Sequence, residues 1–230
     1  MTTEHIVTSY EDELASLDSK IAQMGGLTET LVAQAFDALC KGDVASANNV
    51  ILDDAKIDEF ELEIEEQAVT MIARRQPMAL DLRQIMVAIK ITSDLERIGD
   101  LAKNIARRSI AVANEDHRTT LRGIERMGQA VSRLLQVALD AYQRREPVTA
   151  LSVLDQDEDI DSHYNSLLRS MLVFVAEEPD QLHTRSNFIF IVKNLERIGD
   201  HCTNIAKVVH FIATGLQVGE AETLIRPQPE

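Results

Sequence analysis

The sequence predicts an all-α protein built as two tandem, pseudo-symmetric three-helix bundles, six long helices in all. Three observations carry that expectation. First, a stretch recurs at an offset of 100: Leu95-Glu96-Arg97-Ile98-Gly99-Asp100 returns verbatim as Leu195-Glu196-Arg197-Ile198-Gly199-Asp200, and Asn104-Ile105-Ala106 returns as Asn204-Ile205-Ala206. Nine identities over twelve positions mark an internal repeat. Second, Trp is absent, aromatics are 4% of the chain, and only five Pro and nine Gly interrupt 230 residues. Strands favour aromatic and β-branched residues, so this composition leans helical. Third, apolar residues recur at the helical period.

Each element follows from local signals. Leu14, Leu17, Ile21, Met24, Thr28, Leu31, Ala35 and Ala38 keep 3-4 spacing, a heptad seam with Thr28 as its one polar member. Lys41-Gly42-Asp43 ends that first helix: glycine supplies a left-handed turn, and aspartate caps the next helix. A second helix is expected over 44–75, broken at Gln76-Pro77, and a third over 79–112. The polar stretch 113–118 reads as a linker. The plan then repeats, with helices over 119–145, 148–177 and 181–214 and breaks at Glu146-Pro147 and Glu178-Pro179-Asp180. A weaker match, Asp54-x-x-Ile57-Asp58 with Asp157-x-x-Ile160-Asp161, and the pairing of Pro77 with Pro179 tie the two halves together. The expected units are 1–112 and 113–216, with a frayed tail over 217–230.

Composition narrows the function. The net charge is −15, divided as −9 before residue 113 and −6 after it. An acidic chain repels nucleic-acid backbones and anionic lipid headgroups, so neither is an expected partner. Met1–Tyr10 lacks the apolar core of a signal peptide. No apolar run approaches the ~20 residues that span a bilayer. Cys40 and Cys202 share no CxxC spacing and read as reduced, inert thiols. A cytoplasmic, non-inserted protein is expected.

The chemistry lies in four acid-x-x-x-acid pairs: Asp54/Asp58 and Glu96/Asp100 in the first unit, Asp157/Asp161 and Glu196/Asp200 in the second. Residues i and i+4 share a helix face about 6 Å apart, and two carboxylates there repel. A cation between them removes that cost. Carboxylate oxygens suit Mg²⁺, Mn²⁺ or iron. Helical phase puts Glu96 and Asp100 in line with Leu82, Ile85, Met86, Ile89 and Ser93, and Asp54 and Asp58 within the arc of Val50, Ile51, Ala68 and Ile72. The acids thus extend apolar stripes, where unpaired charge is costly. A metal site between the second and third helices of each bundle resolves that. Gly99 and Gly199, unfavourable in a helix by about 1 kcal/mol, suggest close approach or room for a ligand.

Plain readings stand beside these. One acid pair is ordinary on a solvated face, and 53–66 is acidic throughout; four pairs, two per unit, bring a metal reading level with that of a plain surface. Arg97 and Arg197 read as intrahelical salt-bridge partners, and Asn104 and Asn204 as ligands, hydrogen-bonding groups behind the ligands or, on at least equal footing, helix-packing residues. The histidines (His5, His117, His163, His183, His201, His210) form no HExxH or ExxH pattern, which argues against a ferritin-type di-iron enzyme. No Gly-rich phosphate loop or GxSxG occurs. The residues do not point to catalysis.

The twin Leu-Glu-Arg-Ile-Gly-Asp segments, the Arg75–Arg83 stretch Arg-Gln-Pro-x-x-x-Asp-Leu-Arg and Met24-Gly25-Gly26 in the first helix together resemble the PhoU family of bacterial regulators of phosphate uptake. The resemblance covers nearly the whole chain. It implies two pseudo-symmetric three-helix bundles and a cytoplasmic brake. Such a brake associates with the ATPase subunit of the phosphate ABC transporter and with the phosphate-sensing histidine kinase, holding regulon expression low when phosphate is plentiful. Some members carry iron clusters on their acid-x-x-x-acid motifs and others are seen without metal, so the resemblance makes Asp54, Asp58, Glu96, Asp100, Asp157, Asp161, Glu196 and Asp200 the candidate metal ligands. The chain departs from the symmetric pattern where Asp81-Leu82-Arg83 is answered by Gln181-Leu182-His183 and Asp94 by Asn194, which predicts a second site that binds metal differently or not at all. Two other readings compete: a metal-binding or metal-dependent enzyme on carboxylate clusters, and a helical scaffold whose acids dock a basic partner. The long seams suit a homodimer, though no residue compels one.

Overall fold

The computed structural model describes residues 2–78, 80–113, 118–177 and 182–218. Its elements are helices: α1 (Thr2–Lys41), α2 (Val44–Asp53), α3 (Ala55–Arg75), α4 (Leu80–Val112), α5 (Arg118–Arg144), α6 (Pro147–Glu177) and α7 (Leu182–Thr214). No strand occurs among the described residues.

The helix expected over 44–75 is therefore two segments meeting at Asp54. They form one rod. Asp54 keeps right-handed helical angles (φ −56°, ψ −34°), and its N–H donates to the Val50 carbonyl at 3.2 Å. The Ile57 N–H donates to the Asp54 carbonyl at 2.8 Å, an i+3 bond that tightens one turn. Seven segments thus make six rods, α1, α2–α3 and α4 in one bundle and α5, α6 and α7 in the other.

The heptad seam of α1 is the spine of the first core. Leu17, Ile21, Met24, Leu31, Ala35 and Ala38 are all buried. Thr28 is buried with them, and its hydroxyl donates to the Met24 carbonyl at 2.9 Å, so the polar member is satisfied within its own helix. Met24-Gly25-Gly26 lies inside α1. A Cβ on Gly25 would come within 2.9 Å of Leu139 Cδ2, so this glycine lets α1 and α5 close together.

The helix ends follow their residues. Gly42 takes φ 65°, and the Asp43 side chain accepts from the Ser46 N–H at 3.0 Å, capping α2. Gln76 takes φ 48° before Pro77 and ends α3. Arg145, at φ 54°, ends α5 before Pro147. Its guanidinium bonds Asp18 at 2.9 Å, and the Tyr142 hydroxyl donates to the same carboxylate at 2.5 Å, tying that corner to α1. The expected breaks at 178–180 and most of the linker (114–117) lie outside the described residues, as does the expected tail apart from Gln217 and Val218.

The bundles pack on each other along α4 with α7 and α1 with α5. Polar contacts cross the first of these seams. The Arg108 guanidinium donates to Asn187 at 3.1 Å, and Asp94 meets His201 Nδ1 at 2.8 Å and the Asn204 amide at 3.3 Å. Asp94 is therefore an inter-bundle group rather than part of the first unit's acidic motifs. Both cysteines are free. Burial, helped by Glu125 and Asp37, pushes the Cys40 thiol up to about 11.

Candidate functional site

Each bundle brings its two acidic motifs together where its last helix packs on the helix before it. In the first, α2–α3 presents Asp54 and Asp58 to Glu96 and Asp100 of α4. In the second, α6 presents Asp157 and Asp161 to Glu196 and Asp200 of α7. Ile57 and Ile98, and Ile160 and Ile198, are fully buried beside the motifs and fix the register of each helix pair.

The glycines of the repeat make room for a carboxylate. A Cβ on Gly199 would lie 2.4 Å from Asp157 Oδ1. On Gly99 it would meet Ile57 Cδ1 at 2.8 Å and Asp54 Oδ1 at 3.3 Å. The facing acid of the neighbouring helix occupies the space a side chain would take.

Only the leading acid of each motif lies on the apolar stripe. Asp54 is 3% exposed. The Glu96 and Glu196 side chains are each 13% exposed, and Asp157 is half-buried. Asp58, Asp161 and Asp200 are exposed, and Asp100 is intermediate. The expectation that both acids of each pair extend the stripe is corrected accordingly. Four residues advance a helix by about 40° past one turn, enough to swing the trailing acid to the flank.

The two centres differ in how their charge is answered. In the first, the Lys103 ammonium bonds both Asp54 and Asp100, the latter at 2.5 Å. Burial opposes the charge on Lys103, but its bonds to Asp100 and Asp54 outweigh that and hold its pKa above the ordinary value. Burial raises the Asp54 carboxyl, with Lys103 pulling against it and Asp58 and Asp100 adding to it. Arg97 takes the expected intrahelical role, its Nε 3.2 Å from Glu96 and its Nη1 3.7 Å from Asp100. The contact with Glu96 Oε2 is an ion pair without hydrogen-bond geometry, so that buried oxygen has no hydrogen-bond partner. Burial raises the Glu96 carboxyl, and Asp100, Glu61 and Asp58 reinforce the rise against Arg97. Glu61, one turn beyond Asp58, thus belongs to this centre.

In the second centre, position 203 is threonine, and its hydroxyl donates back to the Asp200 carbonyl at 2.8 Å. Among the described residues, no ammonium bridges the two motifs. Asp157 Oδ1 is buried without a hydrogen-bond partner. Its carboxyl is pushed up to about 6 by burial and by Asp161, Asp200 and Glu196, with the Lys207 charge acting weakly against them. Lys193 grips both oxygens of Glu196 at 2.6 Å and lies 5.2 Å from the Tyr164 ring. Arg197 is exposed and makes no ion pair with a described residue, so the salt bridge expected of it is absent among them.

Sequence reasoning placed the eight acids but missed Lys103, Glu61, Lys193 and Tyr164. The clue to Lys103 was present: positions 103 and 203 are one of three mismatches in the twelve-residue repeat. Asn104 and Asn204 do not face the acids; Asn104 is 3.5 Å from Arg107, and Asn204 crosses to Asp94. His163 and His210 meet backbone carbonyls in their own segments. Among the described residues, no three Asp, Glu, His or Cys side chains converge tightly enough to enclose a metal ion. The carboxylates are neighbours rather than a formed cage.

Comparison with known proteins places this frame. The family described as PhoU domain matches twice, over residues 21–109 and 124–209. A Rhizobium meliloti protein named phosphate-specific transport system accessory protein PhoU homolog is 44% identical over 218 residues, 94% of this chain and 92% of its own length. The protein of the same name from Pseudomonas aeruginosa is 38% identical over 94% of this chain and 90% of its own. The crystal structure of PhoU from Pseudomonas aeruginosa superposes with a TM-score of 0.87 at 38% identity, covering 90% of this chain and all of that one. The phosphate transport system regulatory protein PhoU from Streptococcus pneumoniae does so with a TM-score of 0.83 at 25% identity, covering 91% of this chain and 99% of that one. A duplicated helical frame, a repeated acidic motif and agreement over nine-tenths of the length all lead to one conclusion: the chain belongs to the PhoU family.

Proposed function

We propose that this protein is a non-enzymatic, cytoplasmic regulator of phosphate uptake that restrains the phosphate regulon when phosphate is plentiful. It acts through the ATPase subunit of the phosphate transporter and the phosphate-sensing histidine kinase. The observation that carries the reading is near-full-length similarity to proteins named as accessory to phosphate-specific transport. No helix among the described residues is long and apolar enough to cross a membrane. Deleting the gene is expected to derepress the regulon in phosphate-replete medium, read as reporter output. Unchanged output would contradict the proposal.

We further propose that the acidic centres take a hard cation, and that they do so unequally. Both donor sets are carboxylate oxygen, which suits Mg²⁺, Mn²⁺ or iron. Asp157, Asp161, Glu196 and Asp200 would hold such an ion, which supplies positive charge to a junction that has none between its motifs. Asp157 presents a buried oxygen with no hydrogen-bond partner, as Glu96 does in the first centre, a state a bound cation would relieve in either. In the first centre an ion at Asp54, Asp58, Glu96 and Asp100 competes with Lys103 for two of the same carboxylates. Asp94 lies away from the first centre, so its replacement by Asn194 does not weaken the second.

A further inference from the structure

In a chain of net charge −15, one cleft gathers positive charge. It opens beside the α4–α7 seam, between the first half of α4 and the last turns of α7. Its volume is about 380 Å³. Arg83 and Lys90 of α4 and Lys207 of α7 line it, and no acidic side chain does among the described residues. Beneath them, Met86, Val208 and Phe211 contribute an apolar floor. Lys90 and Lys207 are exposed and form no hydrogen bond or ion pair with any described residue. Arg83 lies over the Phe211 ring at 4.8 Å, which sets its flat guanidinium against the floor.

This arrangement fits neither a docking face for the acidic surface of the same chain nor a plain solvated patch. Paired lysines elsewhere bind carboxylates: Lys20 bonds Glu63, Lys41 bonds Asp37, Lys56 bonds Asp53 and Lys103 bonds Asp54. Lys90 and Lys207 are left free above an apolar hollow. Two free ammonium groups suit a doubly charged phosphate, for which lysine acts as a point charge. An apolar floor with a stacked arginine suits a flat, weakly polar ring, which packs on guanidinium and aromatic faces. The volume lies near the lower end of ligand pockets, roughly 300–1,000 Å³, and admits a mononucleotide rather than a dinucleotide.

We propose that this cleft binds a nucleoside phosphate of mononucleotide size, with Lys90 and Lys207 holding the phosphate and the Arg83–Phe211 stack and its apolar neighbours receiving the base. The field of the acidic chain opposes an anion, so affinity rests on these local charges and falls as salt rises.

The test is calorimetric titration of the full chain at low ionic strength with AMP, ADP and GMP, and with inorganic phosphate and adenosine as half-ligands. The expected result is one saturable site for at least one nucleotide. Lys90→Gln and Lys207→Gln should each weaken it by about tenfold, as for loss of one charge-assisted contact, and each half-ligand should bind more weakly still. Lys20→Gln, in a separate groove between α1 and α3, should leave it unchanged. Both cleft lysines are exposed, and circular dichroism checks that the variants fold. No saturable nucleotide binding, or equal binding in the doubly substituted protein, overturns the proposal. Inorganic phosphate binding as tightly as the nucleotides overturns the assignment of the floor.

Discussion

The two acidic centres are copies of one arrangement that balance their charge in different ways. The first holds its own cation: Lys103 spans Asp54 and Asp100, and Arg97 sits beside Glu96 and Asp100. The second has Thr203 in place of Lys103. There a buried Asp157 oxygen is left without a hydrogen-bond partner, and Lys193 bonds Glu196 rather than bridging the two motifs. One residue in the repeat thus separates a junction bridged by an ammonium from one that is not, although each keeps one buried carboxylate oxygen without a hydrogen-bond partner. The identical positions keep the helices in register, and the mismatch at 103 and 203 sets whether an ammonium bridges the motifs.

The largest expected effect comes from turning the first centre into a copy of the second. Lys103→Thr leaves the buried Asp54 carboxylate without its ammonium. Removing one partner of a buried ion pair costs on the order of 3 kcal/mol, read as a lower melting temperature in chelated protein. Added Mn²⁺ should restore part of that loss. If the variant melts like wild type, Lys103 does not balance the centre.

Next in size is Gly199→Ala. The new methyl group would sit 2.4 Å from Asp157 Oδ1, and overpacking of this kind costs roughly 1–3 kcal/mol. Gly99→Ala should cost less, because its nearest contact is the mobile end of Ile57. Equal losses in denaturant titration would show that the glycines do not serve the facing carboxylates.

A smaller effect, of opposite sign, is expected at Asp157. Its folded pKa of about 6 lies above the 3.8 of a free aspartate, so the folded state binds the proton more tightly. Stability from this group is fully present below pH 3.8 and is lost as pH rises to about 6. In metal-free protein Asp157→Asn should therefore stabilise at pH 7, by about 1 kcal/mol once solvent screening is allowed for. The advantage should shrink toward pH 4. An advantage independent of pH would mean that the charge is not the cause.

The smallest effect concerns Cys40. With its thiol held at about 11, modification by a disulfide reagent at pH 7.5 should be slower than for a free thiol and should accelerate steeply above pH 9. A rate equal to that of free cysteine would contradict its burial.

Much of this was legible in the sequence because it depends on period and on local chemistry. The α1 seam, the Gly42-Asp43 turn and the breaks before Pro77 and Pro147 follow from rules that act within a few residues. Identical motifs at a fixed offset announced the duplicated frame and both sets of acids. The answer to each charge was not legible, because it depends on which side chain a neighbouring helix presents. Lys103 lies one turn past the motif and reads as an ordinary surface lysine until α2–α3 brings Asp54 beneath it. Asp94 stood out in the sequence only as a departure from the repeat, and its position on α4 turns it across the seam to His201 and Asn204. The trailing acids shared a face with the stripe only at the coarseness of a helical wheel.

Metal content of the chain, purified without chelators and read by plasma mass spectrometry, tests the central claim most directly. Wild type should be compared with Glu96→Ala/Asp100→Ala and with Glu196→Ala/Asp200→Ala. The account predicts bound Mg, Mn or iron that survives the first pair of substitutions and is lost with the second. Metal lost with the first pair and retained with the second would contradict it.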